Sequence, residues 1–171
     1  PLVILSTSII GAVLGFLYYN FSERTKKIFM GDTGSMLLGF LLTFTAICFI
    51  DIFIAKRGAG VVYYHLSSAP VIAVAILILP IIDTLNVIII RLAEKRSPFD
   101  ADKNHIHHKL LKLGLSHKRA TFYIISYYLF IVAVSYFLRH IDVNLLLVII
   151  LSLGFLGAYL PNIYSKFKIR N

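Results

Sequence analysis

Residues 69–92 read APVIAVAILILPIIDTLNVIIIRL, and this run decides the fold. A helix crossing a bilayer core of about 30 Å needs roughly 20 apolar residues, and this run is long enough. Leu2–Tyr19, Ser35–Ala55, Ala120–Leu138 and Val143–Leu160 meet or approach the same length. The alternation of a membrane-barrel strand is absent. The reading is all-α: a polytopic transmembrane helix bundle, forming a single membrane-embedded domain over residues 1–171. A mean hydropathy of +0.84, with 58% hydrophobic and 15% charged residues, agrees with that class.

Local signals refine the run. Ser67 or Ser68 is placed to cap the third helix, with Pro70 tolerated in its first turn. Pro80 removes one backbone hydrogen bond and bends the helix. The helix is expected to reach Arg96, where Pro98 stops it by disfavouring the α conformation of the residue before it. Gly114 ends a short helix, and Ser116 caps the next one. Gly11 and Gly15, like Gly31, Ser35 and Gly39, form small-residue stripes that let another helix approach. Cys48 lies in an apolar run and says nothing about redox compartment. Residue 1 is proline and no basic segment precedes the first apolar run, so a signal peptide is not expected. The chain reads as a piece of a longer protein.

The one long polar stretch, 98–119, is PFDADKNHIHHKLLKLGLSHKR. It holds His105, His107, His108 and His117, four of the six histidines. A net charge of +9 invites a nucleic-acid reading, but the distribution of the charges points to a membrane instead. With alternate loops on alternate sides, 14 of the 17 Lys and Arg residues fall on one side. The positive-inside rule makes that side cytoplasmic. The loops bearing Asp32 and the histidines are then both expected on the cytoplasmic face.

If Asn104–Leu113 is a short helix, His105, His108, Lys109 and Lys112 share one face. Ile106, Leu110 and Leu113 lie opposite, toward lipid or protein. The polar face offers imidazoles and ammoniums to phosphate oxygens, or simply rests on anionic headgroups. A zinc site lacks a completing cysteine or carboxylate. Asp32 lies between glycines at the start of the second helix, either as its cap or beside a phosphate site, where one carboxylate would help hold Mg²⁺. Asp83, within a spanning helix with Asn86 one turn on, is costly at membrane depth and is expected to face a bundle interior or cavity, or to be a packing group at the Pro80 bend.

At these residues a family resemblance emerges. Phe29-Met30-Gly31-Asp32-Thr33-Gly34-Ser35-Met36-Leu37-Leu38-Gly39-Phe40 resembles the FxGDxGSxxLGF signature of the polyprenyl-phosphate N-acetylhexosamine-1-phosphate transferases. Pro80-Ile81-Ile82-Asp83-Thr84, Arg96-Ser97-Pro98-Phe99 and Asp102-Lys103-Asn104-His105-Ile106-His107-His108-Lys109-Leu110 are similar to the same family's PxxDT…SPF…D(R/K)xHIHHxL block. Gly114-Leu115-Ser116-His117 extends the likeness. The branch that primes cell-envelope polysaccharides is the nearest in pattern.

The resemblance implies transfer of an N-acetylhexosamine-1-phosphate from a UDP-sugar to undecaprenyl phosphate, giving UMP and requiring Mg²⁺, with Mn²⁺ as an alternative. It implies a multi-pass protein of the bacterial plasma membrane. By motif, Asp32 is the metal-site carboxylate, and His105, His107 and His108 meet the nucleotide-sugar's phosphates. Gly31, Gly34, Ser35, Lys109 and Asp83 complete the candidate substrate-binding set, the role of Asp83 staying open. The family also carries a DDxxD-type motif and further aspartates in earlier helices, which nothing in this chain fits, and about twice the spans. The expectation is therefore the C-terminal half of such an enzyme, inactive alone. The competing readings are a non-catalytic membrane protein that binds lipid-linked or nucleotide sugars, and a transporter using Asp83.

Overall fold

The computed structural model describes residues 2–21, 28–54, 65–98 and 105–170. Among these residues six helices follow one another: α1 (Leu2–Phe21), α2 (Gly31–Ile54), α3 (Ala69–Ala93), α4 (Ile106–Lys112), α5 (His117–Phe137) and α6 (Val143–Arg170). All but α4 contain a stretch long and apolar enough to cross a membrane. This is a multi-pass, all-helical membrane protein. Loop residues Arg24, Lys26, Lys27, Lys56 and Arg57, and motif residues Phe99, Asp102, Lys103 and Asn104, lie outside the described residues.

The chain divides into two compact units, Pro1–Tyr63 and Tyr64–Asn171. The first holds α1 and α2, which touch each other. Neither has a buried residue in its spanning window. The side chains that make them apolar, such as Ile4, Leu14, Met36 and Phe40, are exposed. No neighbouring atom lies within 4 Å of where a Cβ on Gly11, Gly15 or Gly39 would sit, so these small-residue stripes meet no partner among the described residues.

The second unit has a core. α3 packs against α5 and α6, and the short α4 lies on α5 and α6. Val71, Ala75, Ile78 and Ile82 of α3 meet Ile131 of α5 and Leu146, Ile150 and Ala158 of α6, with Ile106 of α4 joining them. Two glycines of α6 make the close approach possible. A Cβ on Gly154 would stand 2.9 Å from Ile82 Cγ1, and one on Gly157 would overlap Tyr127 Cε1.

Pro80 sits inside α3, as expected. Lacking an N–H, it leaves the Ile76 carbonyl without its helical partner, a costly loss where no water can replace it. The Tyr128 hydroxyl of α5 donates to that carbonyl at 2.9 Å. The proline and the α3–α5 contact are thus one feature.

Three expectations about helix ends are corrected. α3 stops at Ala93, short of Arg96. Lys95 adopts φ 57°, and the amides of Lys95 and Arg96 return to the carbonyls of Leu92 and Arg91 at 3.0 and 2.8 Å. That pair of bonds closes the helix in a Schellman turn, before Pro98 is reached. Ser68 stands at the N-cap of α3 but makes no side-chain capping bond. At the far end, α6 continues through Pro161 to Arg170; a proline deletes one amide donor, and the helix carries on past it. Ser116 does cap α5, accepting from the Arg119 amide at 3.4 Å.

Candidate functional site

Asp83 lies one turn beyond Pro80, and its carboxylate reaches α4. Oδ2 is 2.9 Å from Nδ1 of His105, and Oδ1 accepts the amide N–H of Ile106 at 2.8 Å. An ionisable group on a spanning helix is tolerated when donors compensate it, and here two adjacent donors do. His105 is the extended N-cap residue of α4 and Ile106 its first helical residue. One side chain of α3 therefore holds both the ring of the capping residue and the first free amide of the helix. Asn86, expected to share the Asp83 face, is fully buried, and its amide has no partner among the described residues.

The other end of α4 is closed just as firmly. Gly114 has φ 88°, and the amides of Gly114 and Leu115 return to Leu111 and Leu110 at 2.9 and 3.4 Å. The glycine supplies the left-handed residue that this closure needs. Between these ends the three imidazoles are gathered. The rings of His105 and His107 stack at 6.2 Å, and those of His107 and His108 lie 4.0 Å apart. Partial shielding from water, then the neighbouring His108, hold His107 below its usual pKa, against the pull of Asp83. Lys112 and His107 are exposed, and His105 and His108 are half-buried.

Lys109 corrects the expected helix face. It is only 7% exposed, because it lies at i+3 from Ile106 and joins Ile106, Leu110 and Leu113 on the inward stripe of a helix that packs on α5 and α6. An apolar groove of about 570 Å³ opens beside this stripe, walled by Ile82, Ile106, Leu110, Tyr127, Gly157 and Pro161, among others.

Asp32 belongs to the first unit. It sits in the first turn of α2, exposed, and its carboxylate has no partner among the described residues. Gly31 before it has φ 69°. Ser35 donates its hydroxyl to the Asp32 carbonyl at 2.8 Å, so that hydroxyl is engaged within the helix. Gly34 leaves room for Met30, whose Cγ would be 2.8 Å from an added Cβ. Among the described residues no group of three or more His, Cys, Asp or Glu side chains is placed to hold a metal ion. A lone exposed carboxylate nevertheless fits a hard cation that takes one or two protein oxygens and draws the rest from phosphate and water.

Residues 1–50 match the glycosyl transferase family 4 pattern, which covers α1 as well as the Gly31–Ser35 motif. The chain is 39% identical over 120 residues to decaprenyl-phosphate N-acetylglucosaminephosphotransferase of Mycolicibacterium smegmatis, covering 70% of this chain and 29% of that protein. It is 40% identical over 114 residues to the probable undecaprenyl-phosphate N-acetylglucosaminyl 1-phosphate transferase of Bacillus subtilis, covering 67% and 28%. With the undecaprenyl-phosphate alpha-N-acetylglucosaminyl 1-phosphate transferase of Pasteurella multocida the identity is 31% over 118 residues, covering 67% and 30%. Over 67–70% of its length the sequence is similar to polyprenyl-phosphate sugar-phosphate transferases. The chain spans under a third of the length of these relatives. No solved structure matches.

Within this family segment, sequence reasoning found the histidines and both aspartates but missed two partners. One is the Asp83–His105 contact, between residues 22 apart. The signal was Asp83 itself, since a carboxylate on a spanning helix demands a donor. The other is Tyr128, whose hydroxyl relieves Pro80. Pro80 required a donor, but nothing local named it.

Proposed function

We propose that this chain is part of an enzyme that transfers N-acetylhexosamine-1-phosphate from a UDP-sugar to undecaprenyl phosphate, at the cytoplasmic face of a bacterial plasma membrane. A phosphate oxygen of the lipid attacks the β-phosphorus of the UDP-sugar. The bond from that phosphorus to the bridging oxygen breaks, and UMP leaves. The products are polyprenyl-diphosphate sugar and UMP, a first membrane step of envelope polysaccharide synthesis. The observation that carries this reading is the clustering of His105, His107 and His108 at the end of a spanning helix, in a chain whose relatives are named for this transfer.

Phosphoryl transfer asks a protein chiefly to position groups and to stabilise charge. His107 and His108 offer ring N–H groups, and Lys112 an ammonium, to diphosphate oxygens. The Asp32 carboxylate would hold Mg²⁺, or Mn²⁺ in its place, with Gly31 keeping the start of α2 open to an anion. The ion, when bound, neutralises charge on the phosphate oxygens.

The test is an assay of the full-length protein with undecaprenyl phosphate and a panel of UDP-sugars, following UMP release. Transfer should be lost in EDTA and restored by Mg²⁺. Asp32→Asn should lower it by about a hundredfold or more at unchanged expression. Undiminished transfer by that variant would remove the metal role.

A further inference from the structure

We propose that Asp83 is a positioning residue: its carboxylate locks the His105 imidazole with Nδ1–H turned inward, so that Nε2 is presented outward. α4 has seven residues, fewer than the roughly 12–15 at which an isolated helix becomes even marginally stable in water. Its direction is therefore set by what grips its ends. At the start, the grip is one carboxylate on two successive groups, the His105 ring at 2.9 Å and the Ile106 amide at 2.8 Å.

An ionised carboxylate only accepts hydrogen bonds, so the ring nitrogen facing it carries the proton. Which nitrogen of a histidine is protonated is fixed by the bond the other one makes. The side chains of His105 and Asp83 are 36% and 24% exposed, so the pair is sheltered but the ring keeps an open edge. On the transferase reading, which this inference deepens, that edge accepts a hydrogen bond from a hydroxyl or amide N–H of the UDP-sugar. Asp83 itself touches no substrate.

The experiment uses the full-length protein in nanodiscs, with ¹⁵N-histidine spectra and steady-state kinetics side by side. In the wild type, the signal that disappears in His105→Gln should show a protonated Nδ1 and an unprotonated Nε2. In Asp83→Asn, the amide NH₂ can donate to Nδ1, and the pattern should move toward the Nε2–H tautomer. Kinetically, Asp83→Asn and His105→Gln should each raise KM for the UDP-sugar by about tenfold and leave KM for the lipid phosphate unmoved. The double variant should be no worse than either single one, as expected for two residues acting through one contact. An unprotonated Nδ1 in the wild type, a His105 signal unchanged in Asp83→Asn, or multiplying kinetic effects would each overturn the proposal. If the wild-type protein transfers no sugar phosphate, the transferase reading falls, and the spectra still decide whether Asp83 sets the tautomer.

Discussion

Among single residues, His107 gives the sharpest expectation because shielding and its neighbouring rings outweigh the pull of Asp83. Shielding and His108 disfavour its cation. A histidine whose pKa is lowered by folding resists protonation, so the unfolded chain binds the proton more readily below pH 6.5. By linkage, the folded loop loses stability as pH falls from about 6.5 through the lowered value, and nothing is lost above it. An NMR titration of His107 should show a midpoint below 6.5 that rises in His108→Ala; a midpoint at or above 6.5 would contradict the packing of the two rings. At this scale the sequence singled out residues that the fold does gather, Asp83 with His105, His107 and His108, and was a poor guide to how they face. Lys109 was assigned to the open side from spacing alone, yet it lies inward beside Ile106. A seven-residue helix has too little periodicity to say which stripe its neighbours will cover. The Asp83–His105 contact could not be read because tertiary packing creates it.

At the scale of elements, the close fit of α5 and α6 carries the next expectation. Gly157 faces the Tyr127 ring with no room for a methyl group, and Tyr127 donates its hydroxyl to the Leu153 carbonyl at 2.8 Å. Gly157→Ala forces the ring aside and strains that bond, a cost of about 1–3 kcal/mol. Denaturation of the full-length protein in detergent micelles should register it as a lowered midpoint. The positions of the spanning helices were legible in the sequence, since about 20 apolar residues admit few other readings. Their ends were less so. Ser116 and Gly114 announced their turns, whereas α3 is closed by a lysine in a conformation that usually goes to glycine. No residue-type rule would have named Lys95.

For the whole molecule, the expectation concerns which side of the membrane each turn occupies. α5 is long and apolar enough to cross a bilayer once, so the segment before it and the turn after it should lie on opposite sides. In a Cys48→Ser background, Lys118→Cys should be protected from a membrane-impermeant thiol reagent in intact cells and His140→Cys labelled. The reverse pattern would invert the orientation inferred from charge. The bare helices α1 and α2, with no buried residue in their spanning windows, accord with a chain that spans under a third of its relatives' length.

The brevity of α4 dictates a sequence of events during synthesis. A helix that cannot stand by itself acquires its shape only once Asp83 is in place on one flank and α5 and α6 have emerged to form its floor. The imidazole cluster must therefore set only after α6 has entered the bilayer. A nascent chain still missing α6 would display these rings without a fixed bearing.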